Sequence, residues 1–393
     1  MAVKRARSTE HVQIPDVAAF AEARWFAGKG RAGSGLEVVG GFAPDGAGGA
    51  SVAFVGVEYE SGERERYALA LREGRECAGD DSLWAALARA AGADVAPGKS
   101  RFLAEDLSNT VVSLDDRLVL KLFRRPERGP HPEAELLAAL DGFAHVPALA
   151  GVVERDGMTV ALVEEFVEGT PVGWEDLIGR LAAGEAALGD AAELGWVAAV
   201  LHRRLATALG ARPGDAADVA AERAGGVRPD GADPLEMAGA ELLPAIDAHL
   251  VKLDRLLDAR LQRVHGDLHV GQVLRTAREL VVIDFEGDPS LPLRERSRER
   301  SPLVDLASLL LSLDHAGCAA ARREPSFDWR AWSHEAREEC LAGYEDEIGE
   351  VDRELLRALE VAKELRELVY AERWLPEWLY APRAVLPRLL EHA

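Results

Sequence analysis

Apolar and polar positions divide the chain into three stretches. Up to about Gly98 the pattern predicts short strands and one helix, with a loose glycine-rich stretch from Gly40 to Ala50 between them. Ser51–Glu60 and Arg66–Arg72 have strand composition, while Asp81–Ala91 carries helical apolar spacing at Leu83, Trp84 and Leu87. From Arg101 the strands recur: Arg101–Leu107, a polar turn at Ser108-Asn109-Thr110, Val111–Leu114, a turn at Asp115-Asp116, and Leu118–Phe123, followed by a helix over Pro132–Leu140. Gly151–Glu154 and Thr159–Phe166 flank Asp156-Gly157, a strong hairpin dipeptide. Beyond Trp174 the period turns helical, with amphipathic segments at Asp190–Leu209, Pro234–Leu257, Leu303–His315 and Asp352–Arg373. A β interlude from Leu261 to Asp284 interrupts them, and the Ala- and Gly-rich piece from Gly210 to Gly239 reads as a loop. No internal repeat is visible. The expected division is 1–98, a small sheet unit; 99–170, a sheet with one helix; and 171–393, a helical lobe.

Composition narrows the function. The 393 residues have 48% hydrophobic and 29% charged content, the balance of a globular protein. A net charge of −22 repels polyanions, so nucleic acid is not an expected partner. Cys77, Cys318 and Cys340 show no metal-ligand spacing and read as free thiols in a reducing compartment. The basic start, Lys4, Arg5 and Arg7, runs into polar residues without an apolar stretch, and the run from Leu303 to Leu313 is interrupted by Asp305 and Ser308. The expectation is a cytoplasmic protein with no membrane partner.

The candidate chemistry lies in the β interlude. His265-Gly266-Asp267-Leu268-His269-Val270-Gly271-Gln272 precedes Val281-Val282-Ile283-Asp284-Phe285-Glu286. Phosphoryl transfer needs a loop carboxylate for the acceptor hydroxyl, a nearby amide oxygen for a metal, and a second carboxylate after a hairpin for the same metal. It also needs a phosphate-facing lysine on a strand. Lys121 is a charge inside the apolar strand Leu118–Phe123, so it calls for a carboxylate or phosphate partner. On the following helix Glu135 is the first choice and Glu133 the alternative. Ser108, Asn109 and Thr110 offer turn donors for phosphate oxygens, which any polar turn also has.

The run resembles the protein-kinase pattern H-R-D-x-x-x-x-N…D-F-G, with Gly266 for Arg and Gln272 for Asn. The Gly variant resembles aminoglycoside phosphotransferase-type small-molecule kinases. Together with Arg24-Trp25-Phe26-Ala27-Gly28-Lys29-Gly30, Leu120–Arg125 and Ser301-Pro302-Leu303-Val304-Asp305, it is similar to the actinobacterial maltokinases and related glucosamine kinases. The resemblance implies an α+β, bilobal protein-kinase-like fold of the aminoglycoside phosphotransferase type with an N-terminal cap subdomain. It implies ATP and Mg²⁺ as cofactors, Asp267 as catalytic base, Gln272 and Asp284 as Mg²⁺ ligands, and Glu286 near the metal. It puts Lys121, anchored by Glu135, on the nucleotide phosphates, and Glu165 and Val167 at the backbone that holds adenine.

For the sugar the resemblance points to Asp267, His269, Arg300, Asp305, Glu372, Trp374, Glu377 and Trp378. Asp305 has a second explanation as a first-turn dipole partner. Trp374 and Trp378 have one as ordinary packing under a helix end that Pro376 closes. His202 reads as a packed helix histidine. The maltokinase pattern carries an Asn and a basic residue where Trp374 and Leu375 stand, and this departure favours a smaller sugar. Glu372, Glu377 or Asp305 would meet the ammonium of glucosamine. The expected activity is ATP-dependent phosphorylation of glucosamine to its 6-phosphate. Alternatives are a maltokinase making maltose 1-phosphate and an inactive nucleotide-binding pseudokinase. Asp267→Asn separates the enzymes from the pseudokinase: in a coupled assay turnover falls by roughly 10²–10⁴-fold while nucleotide binding persists.

Overall fold

The computed structural model describes residues 26, 33–95, 98–103, 109–224, 233–288 and 291–391, without the side chains of 33–35 and 224. Two compact units emerge: Met1–Gly142 with Pro147–Val167 and Pro292–Arg294, and Phe143–Val146 with Glu168–Leu291 and Glu295–Ala393.

The first unit contains two antiparallel sheets. Strands β1 (Gly33–Phe42), β2 (Ser51–Tyr59), β3 (Arg64–Arg72) and β4 (Arg75–Glu76) run in sequence order. The pleat points successive side chains to opposite faces. Val52 and Phe54 of β2 therefore join one apolar cluster, and Val55, Val57 and Tyr59 join another with Tyr67 and Phe26. Helix α1 (Ser82–Ala90) starts at Asp81, whose carboxylate accepts from Leu83 N–H. Its Leu83, Trp84 and Leu87 share a core with Val112, Leu120 and Val160, so residues on both sides of position 98 are packed together.

The second sheet is five-stranded, in the order β5 (Ser100–Phe102), β6 (Thr110–Leu114), β7 (Leu118–Leu122), β9 (Met158–Glu165), β8 (Leu149–Arg155). Asp115 and Asp116 both take positive φ, as do Asp156 and Gly157, the requirement of the two-residue turns that match strand twist. The expected strand Arg101–Leu107 is described only to Leu103; residues 104–108, Ser108 among them, lie outside the described residues, as does Arg24–Gly30 apart from Phe26. Helix α2 (Pro132–Ala139) follows β7 with proline in its first turn.

The second unit is mostly helical. In chain order it holds β10 (Thr170–Pro171), α3 (Trp174–Ala182), α4 (Leu188–Leu209), β11 (Ala211–Pro213), α5 (Ala216–Ala224), α6 (Pro234–Ala238) and α7 (Leu243–Leu250). A 3₁₀ turn at Val251–Asp258 leads to β12 (Arg260–Gln262), β13 (Val273–Arg275) and β14 (Leu280–Val282). After the short α8 (Leu293–Arg296), which straddles the two units, come α9 (Leu303–Arg323), α10 (Trp329–Ile348), α11 (Arg353–Trp374) and α12 (Tyr380–Leu390).

Two expectations need correction. Pro234–Leu257 is not one helix: Gly239 takes φ +96 after α6, and the remainder is α7 plus the 3₁₀ turn. Gly210–Gly239 is not wholly loop, because the alanines of 216–224 form α5, ordered by Asp218 accepting from Asp215 N–H and both terminal nitrogens of Arg212. Alanine-rich composition suits helix as well as loop, and the period was too short to separate them.

Helix α9 is long and apolar enough to cross a membrane, yet 94% of its most apolar stretch is buried inside the protein as a core helix. Helices α4 and α10 approach at glycine: a Cβ on Gly195 would sit 1.8 Å from Cys340 O, and one on Gly343 would sit 2.1 Å from Ala192 O. That approach lets His202 of α4 meet Tyr344 of α10, Nδ1 to Oη at 2.9 Å. Gly343→Ala is expected to cost ~1–3 kcal/mol by overpacking, read as a lower urea midpoint at unchanged slope.

Candidate active site

In the first unit, alternation along β7 buries Leu120 and Leu122 in the core and turns Lys121 to the other face. Its ammonium pairs with Glu133 of α2 and, at 3.3 Å, with Glu164 of β9. All three side chains are under a tenth exposed. The anchor is therefore Glu133 and not the expected Glu135, which lies about 200° further round the helix at 100° per residue. Glu164 enters because β7 and β9 are paired, with Val119 opposite it and Lys121 opposite Leu162. Sequence spacing carries no signal for such a cross-strand partner.

The other nucleotide candidates of this unit make local contacts in the sheet. Asn109 Oδ1 accepts from Arg124 N–H at 3.3 Å, which closes the strand pair, and Thr110 is buried at the start of β6. Glu165 donates its N–H to Ala148 O and accepts with its side chain from Ala148 N–H. Phe166 N–H goes to Arg117 O, and Val167 follows the end of the strand.

The second unit assembles the motif loop. Gly266 takes φ +88 and Gly287 φ +72, and a Cβ on Gly266 would lie 3.2 Å from Gly287 Cα, so the two turns touch through bare backbone. His265 is buried and donates from Nε2 to Ile283 O at 3.0 Å, while Nδ1 accepts from Asp267 N–H at 3.3 Å. One imidazole thereby links the Asp267 loop to the strand end before Asp284. Asp284 itself holds φ +67, unusual for a residue with a side chain, and accepts from Gln272 Nε2 at 2.9 Å. Glu286 is buried 3.6 Å from Arg296, which also donates to its carbonyl.

Asp305 is a correction. Its side chain is fully buried; Oδ2 accepts from His265 N–H at 2.8 Å and His202 Nε2 at 3.0 Å, and Oδ1 accepts from Gly266 N–H at 2.8 Å. It braces the loop, with its oxygens engaged by these three donors rather than turned to solvent. Burial alone would raise its pKa, but the His202 hydrogen bond and charge, with His265 and the Gly266 amide, hold it below the ordinary carboxylate range.

Two further sugar candidates are structural in part. His269 caps the 3₁₀ turn at Val270–Gln272, accepting from Gly271 N–H at 3.0 Å, and burial pushes its pKa down so that the ring is neutral. Arg300 is committed to Glu222 through two 2.6 Å bonds. At the end of α11, Trp378 stacks on Tyr380 and lies 5.9 Å from Trp174, which in turn is 6.0 Å from His269, so the tryptophan corner reaches the catalytic loop through one indole. Trp374 carries Arg373 over its ring, and Glu372 and Glu377 are exposed nearby.

A cavity of about 390 Å³ opens beside Gly266, lined by Glu222, Asp288, Arg300, Lys363 and Arg366 among others. Sequence reading missed Lys363, which lies 3.3 Å from Asp267 and 3.0 Å from Glu367. It belongs to the polar face of an amphipathic helix, where a lysine raises no flag. Among the described residues no group of three or more His, Cys, Asp or Glu forms a closed metal cage. A kinase-type Mg²⁺ site does not need one, since nucleotide and water supply most ligands.

The family profile described as phosphotransferase enzyme family matches residues 99–359, and one described as maltokinase N-terminal cap domain matches residues 20–96. The chain belongs to the phosphotransferase enzyme family and has its protein-kinase-like fold. Within it, the chain is 33% identical over 332 residues to a glucosamine kinase of Streptacidiphilus jiangxiensis, covering 76% of this chain and 75% of that one. A glucosamine kinase of Mycolicibacterium smegmatis is 31% identical over 324 residues, covering 74% and 79%. A solved glucosamine kinase in complex with glucosamine, ADP and inorganic phosphate aligns with TM-score 0.68 at 28% identity, over 96% of this chain and all of the other.

Asp305→Ala is expected to cost ~3–5 kcal/mol, because it orphans two buried amides and a histidine. With the folded pKa lowered, the carboxylate's electrostatic contribution is complete above an unfolded value of ~3.9 and disappears as pH falls through the folded value. Denaturant melts should therefore show a shallower loss of stability in the variant as pH falls below the unfolded value of ~3.9. Identical acid limbs would remove Asp305 from this account.

Proposed function

We propose that the chain is an ATP-dependent glucosamine kinase forming glucosamine 6-phosphate. The observation that carries the proposal is the Asp267 carboxylate on a braced loop, with the Gln272–Asp284 pair on the same loop and its neighbouring turn. The similarity to two glucosamine kinases supplies the sugar.

In this mechanism Asp267 orients the acceptor hydroxyl and takes its proton as the oxygen bonds to the γ-phosphorus. The bond from that phosphorus to the β–γ bridging oxygen breaks, and ADP leaves with the electron pair. Lys121, held by Glu133 and Glu164, is assigned to the nucleotide phosphates. Gln272 and Asp284 offer an amide and a carboxylate, hard oxygen donors that fit Mg²⁺. When bound, Mg²⁺ supplies charge neutralisation of the nucleotide oxygens. Asp284's left-handed backbone turns its carboxylate into the pair, and the strain is retained because Gln272 and the Ile283 N–H to Gln272 O bond hold both ends.

For sugar selection the proposal keeps Trp374, Trp378, Glu372 and Glu377 and releases Asp305. Aromatic faces cover the apolar side of a pyranose and carboxylates receive its ammonium. The match to a maltokinase cap domain favours maltose phosphorylation as the second reading. A panel of glucosamine, N-acetylglucosamine, glucose and maltose with ATP and Mg²⁺, products resolved by NMR, tests both. The expected result is a kcat/KM for glucosamine at least ~10-fold above N-acetylglucosamine, about 1.4 kcal/mol for the lost ion pair, and a 6-phosphate product. Preferred turnover of maltose to a 1-phosphate would replace the first reading by the second.

A further inference from the structure

We infer that Lys363 of α11 positions the Asp267 carboxylate for acceptor phosphorylation, an inference that rests on Asp267 being the base. Lys363 lines the 390 Å³ cavity, and its Nζ lies 3.3 Å from Asp267 Oδ1 and 3.0 Å from Glu367, so one ammonium is shared by two carboxylates. Local helix energetics do not account for this placement, because Lys followed by Glu at i,i+4 is the weaker order of that pair.

The shared ammonium is also the cation that the loop itself lacks. His269, two residues past the base, is spent on Gly271 N–H, and His265 on Ile283 O and Asp267 N–H. Two other cations of the cavity are engaged elsewhere: Arg300 pairs with Glu222, and Arg298 with Asp218 and Glu295. Burial alone would lower the Lys363 pKa, but the charges of Glu367, Asp267 and Asp288 outweigh it, against Arg366, and keep the ammonium protonated.

The consequence is directional. With Oδ1 held by Lys363, Asp267 presents Oδ2 to the acceptor oxygen in one orientation. A carboxylate released from that hold rotates about its terminal torsion, which has no strong staggered preference. Phosphoryl transfer depends on orientation more than on proton-transfer driving force, so the loss falls on kcat and on the choice between sugar and water.

The test compares Lys363→Met, Lys363→Arg and Glu367→Gln in the full-length enzyme with ATP, Mg²⁺ and glucosamine, measuring sugar phosphate and ADP separately. Lys363→Met is expected to lower kcat for sugar phosphate about 10- to 100-fold, with KM for ATP changed less than about threefold, and to raise ADP formed per sugar phosphate at least about fivefold. Lys363→Arg should recover at least about tenfold of the lost kcat. Glu367→Gln, which frees one end of the shared ammonium, should lower kcat by about two- to fivefold. Lys363→Met with kcat and product ratio as in wild type would overturn the inference, as would an equal loss in the Met and Arg variants at unchanged product ratio. Should the Met variant not fold, an unchanged kcat in Glu367→Gln overturns it instead. Asp267→Asn is run alongside: an active Asp267→Asn enzyme sinks the proposed mechanism, whereas an inactive one beside a wild-type-like Lys363→Met sinks only this inference.

Discussion

The motif loop depends on one buried anion. Asp305 is the only carboxylate among the described residues that receives both the His265 and the Gly266 amides, and those amides set the backbone immediately before Asp267. A charge without solvent is tolerable only where its lone pairs are filled, and here three donors fill them. The third donor, His202, is itself held by Tyr344. The loop's conformation is thus tied to three helices, α4, α9 and α10, before any ligand is considered.

That arrangement explains where the helical unit places its other buried charges. Asp314, three turns along α9, takes Arg337 of α10 and Arg388 of α12, each at 2.9 Å, and Arg337 reaches on to Glu360 of α11. Such networks give little net stability against an apolar core, but removing one member is costly, so they favour one packing over its alternatives. In this unit the packing so selected is the one that holds α9 in place, and α9 carries Asp305. The glycines at 195 and 343 serve the same end by steric means, admitting the backbone contact that brings His202 to Tyr344.

Lys121 is a parallel case in the first unit. An ammonium inside a sheet is held by two carboxylates from different elements, Glu133 from a helix and Glu164 from the adjacent strand. Both carboxylates are buried with the ammonium, so the cluster fixes the lysine's position from two directions.

Local chemistry was legible in the residues themselves. The Asp156-Gly157 turn, the alternation of β7, the helix stop at Pro376 and the H-G-D…D-F-E run all follow from steric and hydrogen-bonding rules acting over a few residues. Partner choice was not legible. Glu133 and Glu135 are the same side chain two positions apart, and only the docking of α2 against β7 decides between them. Asp305 has the composition of a sugar ligand and the environment of a strut, and Lys363 sits on a polar helix face that nothing in its sequence neighbourhood distinguishes. The sequence by itself determined which groups the protein owns and the short turns that present them. Which cation meets which anion was decided by the tertiary structure, because burial and distance set the strength of a charge pair and both are properties of chain segments far apart in sequence.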